Sequence, residues 1–208
     1  MITAALRAFA LLSLAAAPAS ALPAPRVAAA PLDTVVFGGG CFWGVQAVFQ
    51  HVKGVVSATS GYAGGTVSSP SYEHVSSGTT GHAEVVKVVF DSSQVSLGQL
   101  LKVFFSVAHD PTELNRQGPD VGTQYRSAVF YTSDAQRKVV DAYIAQLTKS
   151  KAFKDPIVTQ VAPLKAFYEA EAYHQNYYNL HPNQPYIVIN DRPKVEALKT
   201  QFAQLWHD

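Results

Sequence analysis

The chain carries one cysteine, Cys41, in 208 residues, so no internal disulfide can form. Its seven histidines are scattered without the spacing of a structural zinc site, and neither a metal nor any other cofactor is expected. Charge of either sign is also scarce. Charged residues make up 15% and the formal net charge is +1, which excludes the bias that nucleic acid or an anionic membrane surface would demand. The partner to expect is a neutral or apolar group. Long hydrophobic runs are missing as well. The apolar run from Ala8 to Ala17 is well short of the roughly 20 residues that span a bilayer, so no stable membrane association is expected. With Arg7 before it and Ala19-Ser20-Ala21 after it, the run has the pattern of a secretory signal over residues 1–21, an uncleaved anchor being the alternative. The Ala- and Pro-rich residues 22–31 then read as a flexible leader, and residues 32–208 as one catalytic domain acting as a monomer. The expected location is outside the cytoplasm, periplasmic or secreted. In such an oxidising compartment an odd cysteine is either an intermolecular link or a reactive thiol.

What is present gathers around Gly38-Gly39-Gly40-Cys41-Phe42-Trp43-Gly44. The glycines follow the apolar run Thr34-Val35-Val36-Phe37 and precede Val45, Val48, Phe49 and Val52 at helical spacing. This predicts a strand, a tight turn and a helix over residues 41–52. Unpaired N–H groups and the macrodipole at that helix start should favour the thiolate and lower the Cys41 pKa. The competing reading is a buried structural cysteine.

Further along, Val55 to Ser60 and Ala83 to Phe90 read as strands, the second apolar enough for the centre of a sheet, with a Gly-, Ser- and Tyr-rich loop between them. Ser96 to Gln99 and Ser133 to Gln136 fit capping boxes that open two amphipathic helices, the first running to about His109. Ser127 to Tyr131 is a further strand, Ile157 to Val161 an edge strand, and residues near Tyr177 and after Pro193 form closing helices. The order β-α-β, β-α-β predicts an α+β fold, a ferredoxin-like split βαβ two-layer sandwich with additional C-terminal helices. A doubly wound parallel sheet is disfavoured because no crossover helix separates Ser60 from Ala83.

A cysteine nucleophile usually takes a histidine base. His74, His82, His109 and His174 lie in or beside loops, but sequence leaves their positions open. Glu84, at the start of an apolar strand, should be desolvated and have a raised pKa, which suits a general acid, unless it faces solvent at the strand end. Tyr72 and Tyr125 sit in the two turn-rich segments, where their hydroxyls could donate to a substrate oxygen or pack locally. Phe42 and Trp43 cannot both face the core from one helical turn, so one should stay beside the thiol as an apolar wall. A thiol, an acid, hydroxyl donors and a methyl-sized aromatic pocket together fit a sulfoxide.

These stretches, together with Gly61-Tyr62-Ala63-Gly64-Gly65, Gly81-His82-Ala83-Glu84, His109-Asp110-Pro111, Gly122-Thr123-Gln124-Tyr125-Arg126-Ser127 and the segment Ala170 to Gln175, resemble the peptide methionine sulfoxide reductase A family in order and approximate spacing. The resemblance implies reduction of the S epimer of methionine sulfoxide, free or in proteins, as a repair of oxidative damage. It implies that Cys41 attacks the sulfoxide sulfur, Glu84 protonates the oxygen, and Tyr72 and Tyr125 hydrogen-bond it. Phe42 and Trp43 would enclose the S-methyl group, and Asp120 would help hold the substrate. Many relatives carry further cysteines near the C-terminus, whereas Tyr186 to Asp208 has none. The expected cycle therefore passes through a sulfenic acid on Cys41 and an external thiol such as thioredoxin. A cysteine hydrolase using His82 or His174, and a binding module with an inert Cys41, are the alternatives.

Overall fold

The computed structural model describes residues 31–208, so the expectations for residues 1–30 fall outside it. Leu32–Gly38 (β1) and Ala83–Asp91 (β3) are the two central strands, paired antiparallel from Leu32 with Asp91 to Phe37 with Val86. Val55–Ala63 (β2) pairs with the outer side of β3 and Ala128–Tyr131 (β6) with the outer side of β1, both antiparallel. The order β6-β1-β3-β2 is the ferredoxin-like core that the element order predicts. Two short strands extend it to six: Gln160–Pro163 (β7), parallel to β6, and Phe167–Glu169 (β8), antiparallel to β2. A two-stranded hairpin, Arg116–Gln117 (β4) with Asp120–Val121 (β5), stands apart from the sheet.

Alternation sets the two faces of the sheet. Val35, Phe37, Val86, Val88 and Phe90 point to the face covered by helices Phe42–Gln50 (α1), Leu97–Val103 (α3), Asp134–Lys149 (α4) and Arg192–Gln201 (α5). The Phe37 ring stacks between Phe49 (4.8 Å) and Phe104 (4.6 Å), tying β1 to α1 and to the wide turn Phe104–Ala108 that prolongs α3. Each such fully buried side chain contributes roughly 1.5–3 kcal/mol. Val36, Ala63, Ala83, Val85, Ala128 and Phe130 form a smaller cluster on the other face.

Three local expectations are corrected. The capping box at Ser96 forms, but at Ser133 only half of one does. Ser133 Oγ accepts from Gln136 N, whereas the Gln136 carboxamide turns away to accept from Thr132 N (2.9 Å) and to donate to Asp33 and Thr34. The edge strand begins at Gln160, not Ile157, because the Val158 N–H donates to Pro111 O and is not available to the sheet. In the expected loop, β2 continues through Gly61 to Ala63, and Tyr72–Ser76 (α2) is a short helix. Gly61 allows the extension, since a β-carbon there would collide with the Phe167 ring and the Tyr168 carbonyl of β8.

Candidate active site

Cys41 is the N-cap of α1, with φ −54° and ψ 127°, and the turn before it depends on Gly40 at φ +86°. A β-carbon on Gly40 would lie 2.6 Å from Gln117 Cβ, so the close approach as well as the positive φ calls for glycine. Gln117 in turn clamps the backbone of Asp110, its Oε1 accepting from the N–H (2.7 Å) and its Nε2 donating to the carbonyl (3.0 Å).

All seven residues singled out from the sequence, Cys41, Phe42, Trp43, Tyr72, Glu84, Asp120 and Tyr125, line one cavity of about 250 Å³. Gln184 and Tyr186 complete it. Glu84 takes its place because alternation on β3 puts residue 84 on the helix-covered face with Val86 and Val88, directly below the first turn of α1. Glu84 is 2% exposed, so the strand-end, solvent-facing alternative does not hold. Its Oε2 accepts from the Phe42 N–H at 3.1 Å. Burial pushes its pKa up to about 8 against the pull of that N–H, with Asp120 adding to the rise. At neutral pH the group is a carboxylic acid that holds a proton to give.

The expected lowering of the Cys41 pKa is overturned. The thiol is pushed well above its ordinary value, first by burial, then by the Glu84 and Asp191 carboxyls, while the Trp43 N–H and Lys194 pull the other way. The helix start does act as predicted, but desolvation outweighs it. Asp191 is wholly buried against Gly44, with Lys194 Nζ 3.2 Å from its Oδ1.

The hydroxyls stay protonated. Burial and then Glu84 raise the pKa of both Tyr72 and Tyr125, so each remains an O–H donor. Asp120, on β5, accepts a hydrogen bond from the Tyr186 hydroxyl. The aromatic pair divides as expected: Phe42 is buried against His174 (5.0 Å) and Tyr62 (5.9 Å), and the half-buried Trp43 forms the cavity wall. Trp43 is held flat on Tyr177 (3.8 Å) and edge-on to Tyr186 (5.8 Å), and its Nε1 donates to His174 Nδ1 (3.1 Å). His174 therefore carries its proton on Nε2.

The histidines take structural work. His82 accepts from Gly65 N at Nδ1 and meets Val67 O at Nε2, holding the loop after β2. His109 stacks on Phe104, bridges the Phe104 carbonyl and Ser127 Oγ, and is kept neutral by burial, which lowers its pKa to about 4. His74 is exposed. Among the described residues no histidine hydrogen-bonds the Cys41 thiol, which removes the base that a cysteine hydrolase needs.

Sequence reasoning missed Gln184, Tyr186, Glu171 and Asp191. Tyr186 follows Asn183-Gln184-Pro185 in a stretch without periodicity, and nothing in it announces a return to the cavity. Glu171 accepts from the Tyr72 N–H at Oε1 and from the Tyr62 hydroxyl at Oε2, both at 2.8 Å. Burial raises its pKa, but the bonds from the Tyr72 and Glu171 N–H groups and from Tyr62 outweigh that and keep it a carboxylate.

Comparison with known proteins places the chain in a family. The family model described as peptide methionine sulfoxide reductase matches residues 33–206. The protein named peptide methionine sulfoxide reductase MsrA 2 of Mesorhizobium japonicum is 55% identical over 176 residues, covering 85% of this chain and 90% of its own. That named peptide methionine sulfoxide reductase MsrA in Trichodesmium erythraeum is 53% identical, covering 82% and 96%. Among solved structures, reduced Mxr1 from Saccharomyces cerevisiae aligns with a TM-score of 0.68 at 35% identity, over 76% of this chain and 91% of that one. Methionine sulfoxide reductase A of Corynebacterium diphtheriae aligns at 0.64 and 36%, over 74% and 76%. The chain belongs to the peptide methionine sulfoxide reductase family, oxidoreductases that return methionine sulfoxide to methionine.

Proposed function

We propose that this chain reduces the S epimer of methionine sulfoxide, free or in a polypeptide, through a one-cysteine cycle. The carrying observation is the protonated Glu84 facing the same small cavity as Cys41. Cys41 Sγ attacks the sulfoxide sulfur, and Glu84 delivers its proton to the oxygen that leaves. The proton lost by the thiol restores Glu84, so the step needs no net proton from solvent and suits a resting thiol with a raised pKa. Tyr72 and Tyr125 donate to the oxygen as its negative charge grows. Trp43 and Phe42 enclose the S-methyl group, and Asp120, fixed by Tyr186, holds the substrate backbone. The sulfoxide sulfur gains two electrons, Cys41 loses two and becomes the sulfenic acid, and methionine departs. Two equivalents of thiol, or one dithiol of the thioredoxin kind, then return Cys41 to the thiol and release water and a disulfide.

Only an external reductant balances this cycle, because the chain has no second cysteine. Turnover of a methionine sulfoxide peptide should require added dithiol and vanish in Cys41→Ser; turnover without reductant would point to a different chemistry, and an unaltered Cys41→Ser to an inert thiol. The reading extends to residues 1–31 as an export signal and leader, with residues 32–208 acting as a single, monomeric domain outside the cytoplasm. Its support is the pattern Arg7, apolar run, Ala19-Ser20-Ala21. N-terminal sequencing of exported protein should start near Leu22; a start at Met1 would favour an uncleaved anchor.

A further inference from the structure

Tyr72 stands at the start of α2, a five-residue helix within the long loop between β2 and β3. So short a helix cannot hold its own position. Besides bonds within the loop itself, its ties to the rest of the chain include a bond from Gln124 to the Ser76 carbonyl (3.2 Å), the Tyr72 ring against His174 (4.4 Å) and the buried Val75. The tie at residue 72 itself is charge-assisted. Glu171 Oε1 accepts from the Tyr72 N–H, an unpaired donor of the first helical turn, and charge-assisted bonds of this kind are roughly twice as strong as neutral ones. The second oxygen is fixed on Tyr62, which packs on Phe42.

Glu171 is itself well anchored. One residue, Ala170, separates it from β8, and Ala170 N donates to Ser60 O on β2 (3.0 Å). Gln175 closes the segment from the far side, accepting from Gln46 of α1 and Ser60 N and donating to the Ser60 and Ala170 carbonyls. Between them His174 lies 4.4 Å from the Tyr72 ring and accepts from Trp43. One short segment thus connects the sheet edge, the nucleophile's helix and the long loop that carries a hydroxyl donor.

We infer that Glu171 is a positioning residue for the reduction step: without lining the cavity, its carboxylate holds residue 72 by the backbone so that the Tyr72 hydroxyl meets the sulfoxide oxygen. This rests on the proposed function, in which Tyr72 donates to that oxygen. A misplacement of about 1 Å can cost on the order of 10²-fold in rate, so losing the tie matters although Glu171 touches no substrate. The effect should fall on kcat more than on KM, because the hydroxyl bond strengthens as charge grows on the oxygen.

A double-mutant cycle tests it. Glu171→Ala should lower kcat by about tenfold to 10²-fold, and Glu171→Gln should recover it to within about threefold, since its carbonyl still accepts from Tyr72 N and its amide donates to the Tyr62 oxygen. In a Tyr72→Phe background Glu171→Ala should cost less than about threefold, because the hydroxyl it positions is gone. An equal loss in both backgrounds overturns the assignment and leaves Glu171 a purely structural group. Should the alanine variant not fold, Glu171→Asp, one methylene shorter, is measured in the same two backgrounds with the same criterion. A wild-type chain that reduces no methionine sulfoxide defeats the proposed function itself, whereas an additive cycle in an active enzyme defeats only this assignment.

Discussion

In the proposed cycle the proton that makes Glu84 an acid is also the proton that stabilises the fold. The Glu84 pKa in the folded chain is about 8, against about 4.3 for an unfolded glutamate. Between those values the folded state binds a proton that the unfolded state has lost. Its contribution to stability is therefore full below about 4.3, declines as pH rises, and is lost above about 8, a swing on the order of a few kcal/mol. Glu84→Gln removes the ionisable group and can still accept from Phe42 N through its carbonyl. Relative to wild type, this variant should gain stability as pH rises from 5 to 9, which urea titrations at several pH values would read. Its reductase activity should fall at least about 10²-fold, the usual contribution of a general acid. Wild-type activity should decline above about pH 8, as the acid ionises. A Glu84→Gln variant that keeps more than a tenth of its activity contradicts the role.

At the scale of elements, the turn between β1 and α1 decides where the thiol sits. Gly40→Ala forces a side chain into a left-handed position and against Gln117, which also holds Asp110. The expected cost is about 1–3 kcal/mol of stability, read as a lower urea midpoint, with a further loss of activity because Cys41 is the next residue. A midpoint unchanged from wild type would show that the turn has slack. The same turn was legible from sequence because strand, glycines and helical spacing are all local signals. Glu84 was legible only in part: its place at the start of an apolar strand suggested a raised pKa, but a nearly continuous apolar run on both faces left its face open until the sheet and α1 were in place. The partners that hold these groups were not. Glu171 meets Tyr72 across 99 positions and His174 meets Trp43 across 131, separations no local pattern spans. The raised Cys41 pKa was missed for a related reason: the helix start is local, whereas burial and the Asp191 carboxyl come from the whole fold.

Taken whole, the molecule is a ferredoxin-like sheet whose single cysteine caps the first helix of its helical layer. The sheet order followed from the sequence of elements, while β8 was hidden in three residues and the β4–β5 hairpin in a turn-rich stretch. Among the described residues no helix is long and apolar enough to cross a membrane, and no group of His, Cys, Asp and Glu is arranged to hold a metal ion. In the proposed cycle the chemistry depends on Cys41, on Glu84 as its acid and on a thiol brought from outside. The most direct test is a single turnover, with enzyme in excess of a peptide carrying the S epimer of methionine sulfoxide and no reductant present, read by intact-mass and peptide mass spectrometry. The account predicts one methionine formed for each Cys41 that gains one oxygen, and return of that oxygen-bearing cysteine to the thiol when dithiol is added. Methionine formed while Cys41 stays unmodified would contradict it.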